Sequence, residues 1–203
     1  MKSVNLDREK IEPSKIVCIG RNYVEHIKEL NNEIPTTMVI FMKPNSAISE
    51  ELETKGKELH YEGEISFLIK DSRIYAVGFG LDITDRNLQS KLKKKGLPWE
   101  RAKAFDGAAV FSDFAKIDSK KCDELSLKLF INEKLVQIGS TKLMIHTPEA
   151  ILEEIGTFST IEDGDIVMSG TPKGVGVIKM GDIFRGEIYL GEKLLTSKEW
   201  RAS

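Results

Sequence analysis

Residues 64–84 read EISFLIKDSRIYAVGFGLDIT. Two apolar runs, 64–69 and 74–84, flank the polar stretch KDSR, the pattern of an antiparallel hairpin bound for the core. The rest of the chain supplies more of the same. Strand-like runs fall at 15–20, 37–44, 165–170 and 183–196, and 125–131 turns at NEK into 135–139. Helical spacing is confined to 22–31, 84–96 and 147–156. The second has Thr84 or Asp85 as its cap. The third has Thr147 as N-cap, Pro148 in its first turn and Gly156 past its end. Strands outnumber helices and do not alternate with them regularly, which points to a β-rich α+β fold rather than a doubly wound sheet. No repeat or Pro/Gly/Ser-rich linker divides the chain, so 1–203 reads as one domain with 1–14 as a short lead-in.

Composition narrows the partners. The 203 residues carry a net charge of −2, without the basic excess of a nucleic-acid or membrane-surface protein. No apolar run approaches the ~18 residues of a membrane span, and the N-terminus has no signal-peptide core. Cys18 and Cys122 lie in no metal-like spacing, and Cys18 sits in an apolar run as a small buried hydrophobe. These features lead to the expectation of a cytoplasmic protein. The lysines of KLKKKG (91–96) read as a solvated face.

At the mouth of the hairpin stand Glu62 and Glu64. In a strand i and i+2 share a face, so the two carboxylates project side by side and repel unless a cation lies between them, an Arg, a Lys or a metal ion. Pairing of the hairpin brings Asp82 opposite them. Three hard oxygen donors at one sheet end suit Mg²⁺; a solvated acidic strand end is the alternative. His26 and Glu29 are three apart on a helix, either a carboxylate-oriented general base or a surface ion pair. His60 reads as structural, His146 as a loop residue. Lys103 alone would face solvent. SGTPKGVG (169–176) is not a P-loop; it is either a tight turn or a cradle of backbone N–H groups for an anion.

The segments KIVCIGRNYVEHIKE, HYEGE, GLDITDRNLQ…KKKGLPWERAKAFDGAA and SGTPKGVG occur in that order. In them the chain resembles the fumarylacetoacetate hydrolase family, specifically its short members similar to acylpyruvate hydrolases, from about residue 15 to about 190. The resemblance implies the mixed β-sandwich roll of that family's C-terminal domain and a homodimer. It implies Glu62, Glu64 and Asp82 as ligands of Mg²⁺ or Mn²⁺. His26 and Glu29 become the water-activating pair on a lid, Lys103 a catalytic pocket residue that sets positive charge beside the developing enolate, and Arg21, Arg86, Gln89 and Thr171 substrate-binding positions. The implied activity is metal-dependent hydrolysis of the C–C bond of acylpyruvate-type 2,4-dioxo acids through a metal-bound enolate, with decarboxylation of oxaloacetate as a side activity. The alternatives are an isomerase or tautomerase of 2-oxo or 2-hydroxy-dienoic acids or oxaloacetate, and a non-catalytic metal- or ligand-binding protein.

Overall fold

The computed structural model describes residues 1–30, 33 and 35–203. Along the chain run β1 (Val4–Leu6), β2 (Glu9–Ile11), β3 (Lys15–Gly20), α1 (Val24–Glu29), β4 (Val39–Pro44), β5 (Ile48–Ser49), β6 (His60–Tyr61), β7 (Gly63–Lys70), β8 (Arg73–Asp82), α2 (Arg86–Lys94), α3 (Glu100–Lys103), β9 (Ala109–Phe111) and β10 (Ala115–Lys116). Then follow β11 (Leu125–Ile131), β12 (Lys134–Ser140), α4 (Pro148–Gly156), β13 (Ile166–Met168), β14 (Gly176–Val177), β15 (Ile183–Leu190) and β16 (Lys193–Arg201). The fold is α+β and β-rich. A mixed sheet ordered β4-β3-β13-β7-β8-β9-β5, with β10 added on β8, packs against an antiparallel sheet ordered β12-β11-β15-β16.

The β7–β8 hairpin is the spine of the larger sheet. Asp71 and Ser72 both take positive φ, 50° and 56°, the backbone of a two-residue type I′ turn whose twist suits the strands it joins. Register then follows, with Glu64 opposite Gly80 and Ile65 opposite Phe79. Ile65, Phe67 and Phe79 face the second sheet, where Leu127, Leu129, Ile188 and Trp200 complete one core. Gly80 is needed here because a Cβ would lie 2.4 Å from Ser66 Oγ.

The other face of the spine is closed by Ile16, Cys18, Ile166, Met168 and Phe114 together with Val4 and Leu6. Residues 1–14 are therefore more than a lead-in: Val4 and Leu6 are 5% and 2% exposed. Strands of three residues are too short to show a period, so only tertiary pairing reveals them. Asp85 caps α2 by accepting from Leu88 N–H at 2.9 Å, and Thr147 caps α4. Gly156 is the last helical residue rather than the one beyond, with Thr157 as C-cap. The expected first helix reaches residue 31, which lies outside the described residues.

Candidate active site

Asp82 N–H donates to the carbonyl of Glu62 at 2.8 Å, so the hairpin end sets Glu62, Glu64 and Asp82 on one face. One oxygen from each lies within 4.8 Å of the others. The three residues are 6%, 2% and 1% exposed. Carboxylates so close and so dry need cations. Lys103 Nζ donates to Glu62 Oε2 at 2.9 Å, to Asp82 Oδ2 at 2.6 Å and to Thr84 Oγ1 at 2.6 Å. Lys43 Nζ stands 2.8 Å from Asp82 Oδ1 and also donates to the backbone carbonyl of Lys103. Arg86 pairs with Glu62. Lys103 is thus buried, against the expectation for an isolated lysine; α3, with four residues too short to show a period, turns it inward.

Lys43, fully buried, is a residue that sequence reasoning passed over. Its signal was present, since a lone cation inside the apolar run VIFMKP implies a buried counter-charge. Burial alone would raise the pKa of Glu62, but Lys103, Arg86 and His26 outweigh it and hold the carboxyl well below its usual range. Lys103 is held above the ordinary lysine value, because Asp82 and Glu62 overcome its desolvation.

Glu64 is different. Its Oε2 accepts the N–H of Gly170 at 2.8 Å. Burial, then Asp82 and Glu62, push its carboxyl well up. Asp82 Oδ1, despite Lys43 nearby, accepts no well-aligned hydrogen bond. An under-compensated buried carboxylate beside two further carboxylates fits a hard-cation site, and the donor set suits a divalent ion.

His26 is 6% exposed and places Nδ1 3.2 Å from Glu29 Oε2. Glu29 Oε1 accepts the N–H of Gly174 at 2.9 Å. The SGTPKGVG loop is therefore an anion cradle, but the anions it holds are the protein's own Glu64 and Glu29. Asn22, fully buried, ties α1 to this loop: its Nδ2 donates to the carbonyls of His146 and Ser169 at 3.1 and 2.9 Å. Thr171 Oγ1 donates to the Gly63 carbonyl, while Gln137 accepts the Gly63 N–H and donates to Thr171, each at 2.9 Å. The peptide between the two glutamates is thus clamped from both sides. Asn22 and Gln137 carry no motif that would have exposed them in the sequence. Any lid beyond α1 falls partly on residues 31, 32 and 34, outside the described residues.

A narrow cleft opens on this floor. It brings together Arg21, His26, Glu62, Glu64, Asp82, Arg86, Gln89, Lys103 and Thr171; Glu29 stands behind His26. Arg21 takes φ +58°, a left-handed backbone uncommon outside glycine, at the turn from β3 into α1. Arg86 Nη1 donates to Gln89 Oε1 at 3.0 Å. Phe41, Trp99 and Lys93 also line the cleft. Lys93 departs from the solvated-face reading of KLKKKG. The residue as a whole is exposed, yet its ammonium stands 4.3 Å from the Trp99 ring centroid. His60 exchanges backbone hydrogen bonds with Thr84.

A buried three-carboxylate centre beside a His–Glu pair is the equipment of a metal-assisted enzyme. The C-terminal domain model of fumarylacetoacetate (FAA) hydrolase matches residues 15–197, and the chain belongs to the fumarylacetoacetate hydrolase family. It is 38% identical over 208 residues to oxaloacetate tautomerase oaa1, mitochondrial, of Schizosaccharomyces pombe, across 91% of this chain and 90% of the relative. It is 35% identical over 187 residues to oxaloacetate tautomerase YcgM of Escherichia coli, across 83% and 85%. Among solved structures it superposes on fumarylpyruvate hydrolase of Pseudomonas aeruginosa, determined with Mn²⁺ and pyruvate, with a TM-score of 0.89 at 24% identity over 99% and 95% of the two chains. That last likeness bears on the fold alone. Among the described residues no helix is long and apolar enough to cross a membrane. Since one relative is mitochondrial by name, family membership does not assign the cytoplasm expected from the sequence.

Proposed function

We propose that the protein is a divalent-metal-dependent tautomerase that interconverts the keto and enol forms of oxaloacetate-type 2-oxo acids, with Mg²⁺ or Mn²⁺ held by Glu62, Glu64 and Asp82. The observation that carries this is the buried acid triad sharing one cleft with His26, in which Glu64 receives one backbone N–H and, among the described residues, no cation. The substrate comes from relatives named oxaloacetate tautomerases that match more than four-fifths of the chain. They favour tautomerisation over the acylpyruvate hydrolysis that the family resemblance put first.

When bound, the cation supplies Lewis-acid polarisation of the 2-oxo acid's oxygens. The chain's own residues do the rest. With Nδ1 committed to Glu29, Nε2 is the nitrogen of His26 left to exchange a proton with substrate. It takes the C3 proton of the keto acid while the C–H electron pair moves into the C2–C3 bond and the carbonyl pair onto oxygen, and it gives that proton to the C2 oxygen to complete the enol; the reverse direction retraces both transfers. Glu29 stabilises the imidazolium formed in between. Lys103 spends its three N–H bonds on Glu62, Asp82 and Thr84, so it acts as a positioning residue for the carboxylates rather than as an acid toward substrate. No attacking water is required. The homodimer belongs to the same proposal and is checked by sedimentation.

The test follows oxaloacetate enol decay, CO₂ release and acetylpyruvate cleavage separately, with Mg²⁺ and with Mn²⁺. Metal-dependent acceleration of enol–keto exchange, well above the other two rates, is expected. Efficient cleavage of acetylpyruvate with oxaloacetate equilibrating only at its uncatalysed rate would return the assignment to a hydrolase.

A further inference from the structure

The cations of the cleft divide into two sets. On the floor, Lys43, Lys103 and Arg86 pair with Glu62 and Asp82. Lys103 donates to Glu62, Asp82 and Thr84, and Arg86 to Glu62 and Gln89. At the mouth, Lys93 joins Arg21 in the cleft lining. Among the described residues Lys93 forms no salt bridge. It rests on the indole of Trp99, which holds an ammonium without neutralising it. Trp99 in turn meets Phe41 at a ring separation of 6.3 Å, and Phe41 backs the Lys103 ammonium at 5.0 Å. One aromatic wall therefore carries a committed cation at its inner end and an uncommitted one at its outer end.

We propose that Lys93, seated on Trp99, is the specificity residue that receives the distal carboxylate of a 2-oxo dicarboxylic acid whose 2-oxo carboxylate end lies on the acid triad. This rests on the reading of the triad as a 2-oxo acid site. It explains why a cation stands among others of its kind at a place where no protein carboxylate meets it: a dianionic ligand supplies the missing charge. Partial burial, then Arg21 after β3, Lys103 on α3 and Arg86 on its own helix, lower the Lys93 pKa to about 8, with Glu62 ahead of β7 opposing. The charged form therefore predominates below that pH and is lost above it.

The probes are a matched pair, malate and 2-hydroxybutyrate, which differ by a carboxylate in place of a methyl group. Their binding to the Mg²⁺-loaded protein is measured by calorimetry. Malate is expected to bind more tightly, and Lys93→Met to cut the malate/2-hydroxybutyrate affinity ratio about tenfold. Lys93→Arg restores the ratio. In the wild type the ratio falls as pH rises through about 8, and in Lys93→Arg that decline disappears. Equal weakening of both ligands in Lys93→Met, an unchanged ratio, or no binding of either ligand to the wild type overturns the assignment. A Lys93-dependent malate preference in a protein that leaves oxaloacetate enol decay untouched would sink the tautomerase reading and keep this one; tautomerisation with a ratio indifferent to Lys93 would do the reverse.

Discussion

The short strand β13 has a buried carboxylate at each end, and the two are treated in opposite ways. Before it stands Asp165, whose side chain is fully buried. Its oxygens accept from the Ser14 hydroxyl at 2.7 Å, the Ser14 and Lys15 N–H groups at 3.0 and 3.1 Å and the Glu162 N–H at 2.9 Å, and Lys15 Nζ pairs with it. Burial would raise its pKa, but Lys15, Ser14 and the backbone donors outweigh that and lower it. Just beyond the other end, Gly170 offers one N–H to Glu64, whose remaining neighbours include two more carboxylates. A fold able to surround Asp165 with donors has left Glu64 short of them. The satisfied carboxylate fastens the start of β3 to β13 and is structural; the unsatisfied one belongs to the group of acids that could hold a metal ion.

Substitution at the two ends should separate these roles. Glu64→Gln removes one hard oxygen donor and one like charge. Metal-dependent turnover is expected to fall to the background rate, and the rise in Tm on adding Mn²⁺ to vanish, while the metal-free protein keeps or gains stability. Loss of metal-free stability instead would mean that Glu64 is as structural as Asp165. His26→Ala sharpens the contrast within the site. It takes away the proton carrier and leaves the floor intact, so turnover drops ~10²–10⁴-fold while Mn²⁺ affinity, read by calorimetry, stays. Asp165→Asn comes next, costing about 3 kcal/mol in chemical denaturation with or without metal, because buried donors lose their charged acceptor.

The two ends also differ in how far the sequence disclosed them. Glu62, Glu64 and Asp82 were legible because strand periodicity and one hairpin turn are local facts, and together they dictate a shared face. Lys103 and the cleft residues came only through the family resemblance, which also chose the general-base reading of His26 and Glu29 over a surface pair. Asp165 was not legible. Its donors Ser14 and Lys15 lie about 150 residues away, and nothing in DGDIV distinguishes it from a turn aspartate. Lys43 and Gln137 stayed hidden for a related reason, since their partners, Asp82 and the Gly63 peptide, arrive through tertiary packing. Lys93 was masked by its neighbours: in a run of lysines composition speaks for the solvated face, and only the position of Trp99 singles out one ammonium.

Acid provides the gentlest separation. A carboxylate whose pKa is depressed in the folded state contributes stability that is complete above its unfolded value and is lost as pH falls through the folded one. Asp165, lowered from 3.8, should therefore stabilise the protein at neutral pH and release that contribution only in strong acid. Below about pH 4 the unfolded chain takes up the proton while the folded chain resists, so the free energy of unfolding declines with falling pH. In Asp165→Asn this part of the slope should be missing, and the wild-type and variant urea curves of the metal-free protein should converge as pH drops from 5 toward 2. A gap that stays constant over that range would mean that the carboxylate and the amide that replaces it differ in packing and not in charge, and the contrast between the two ends of β13 would lose its electrostatic basis.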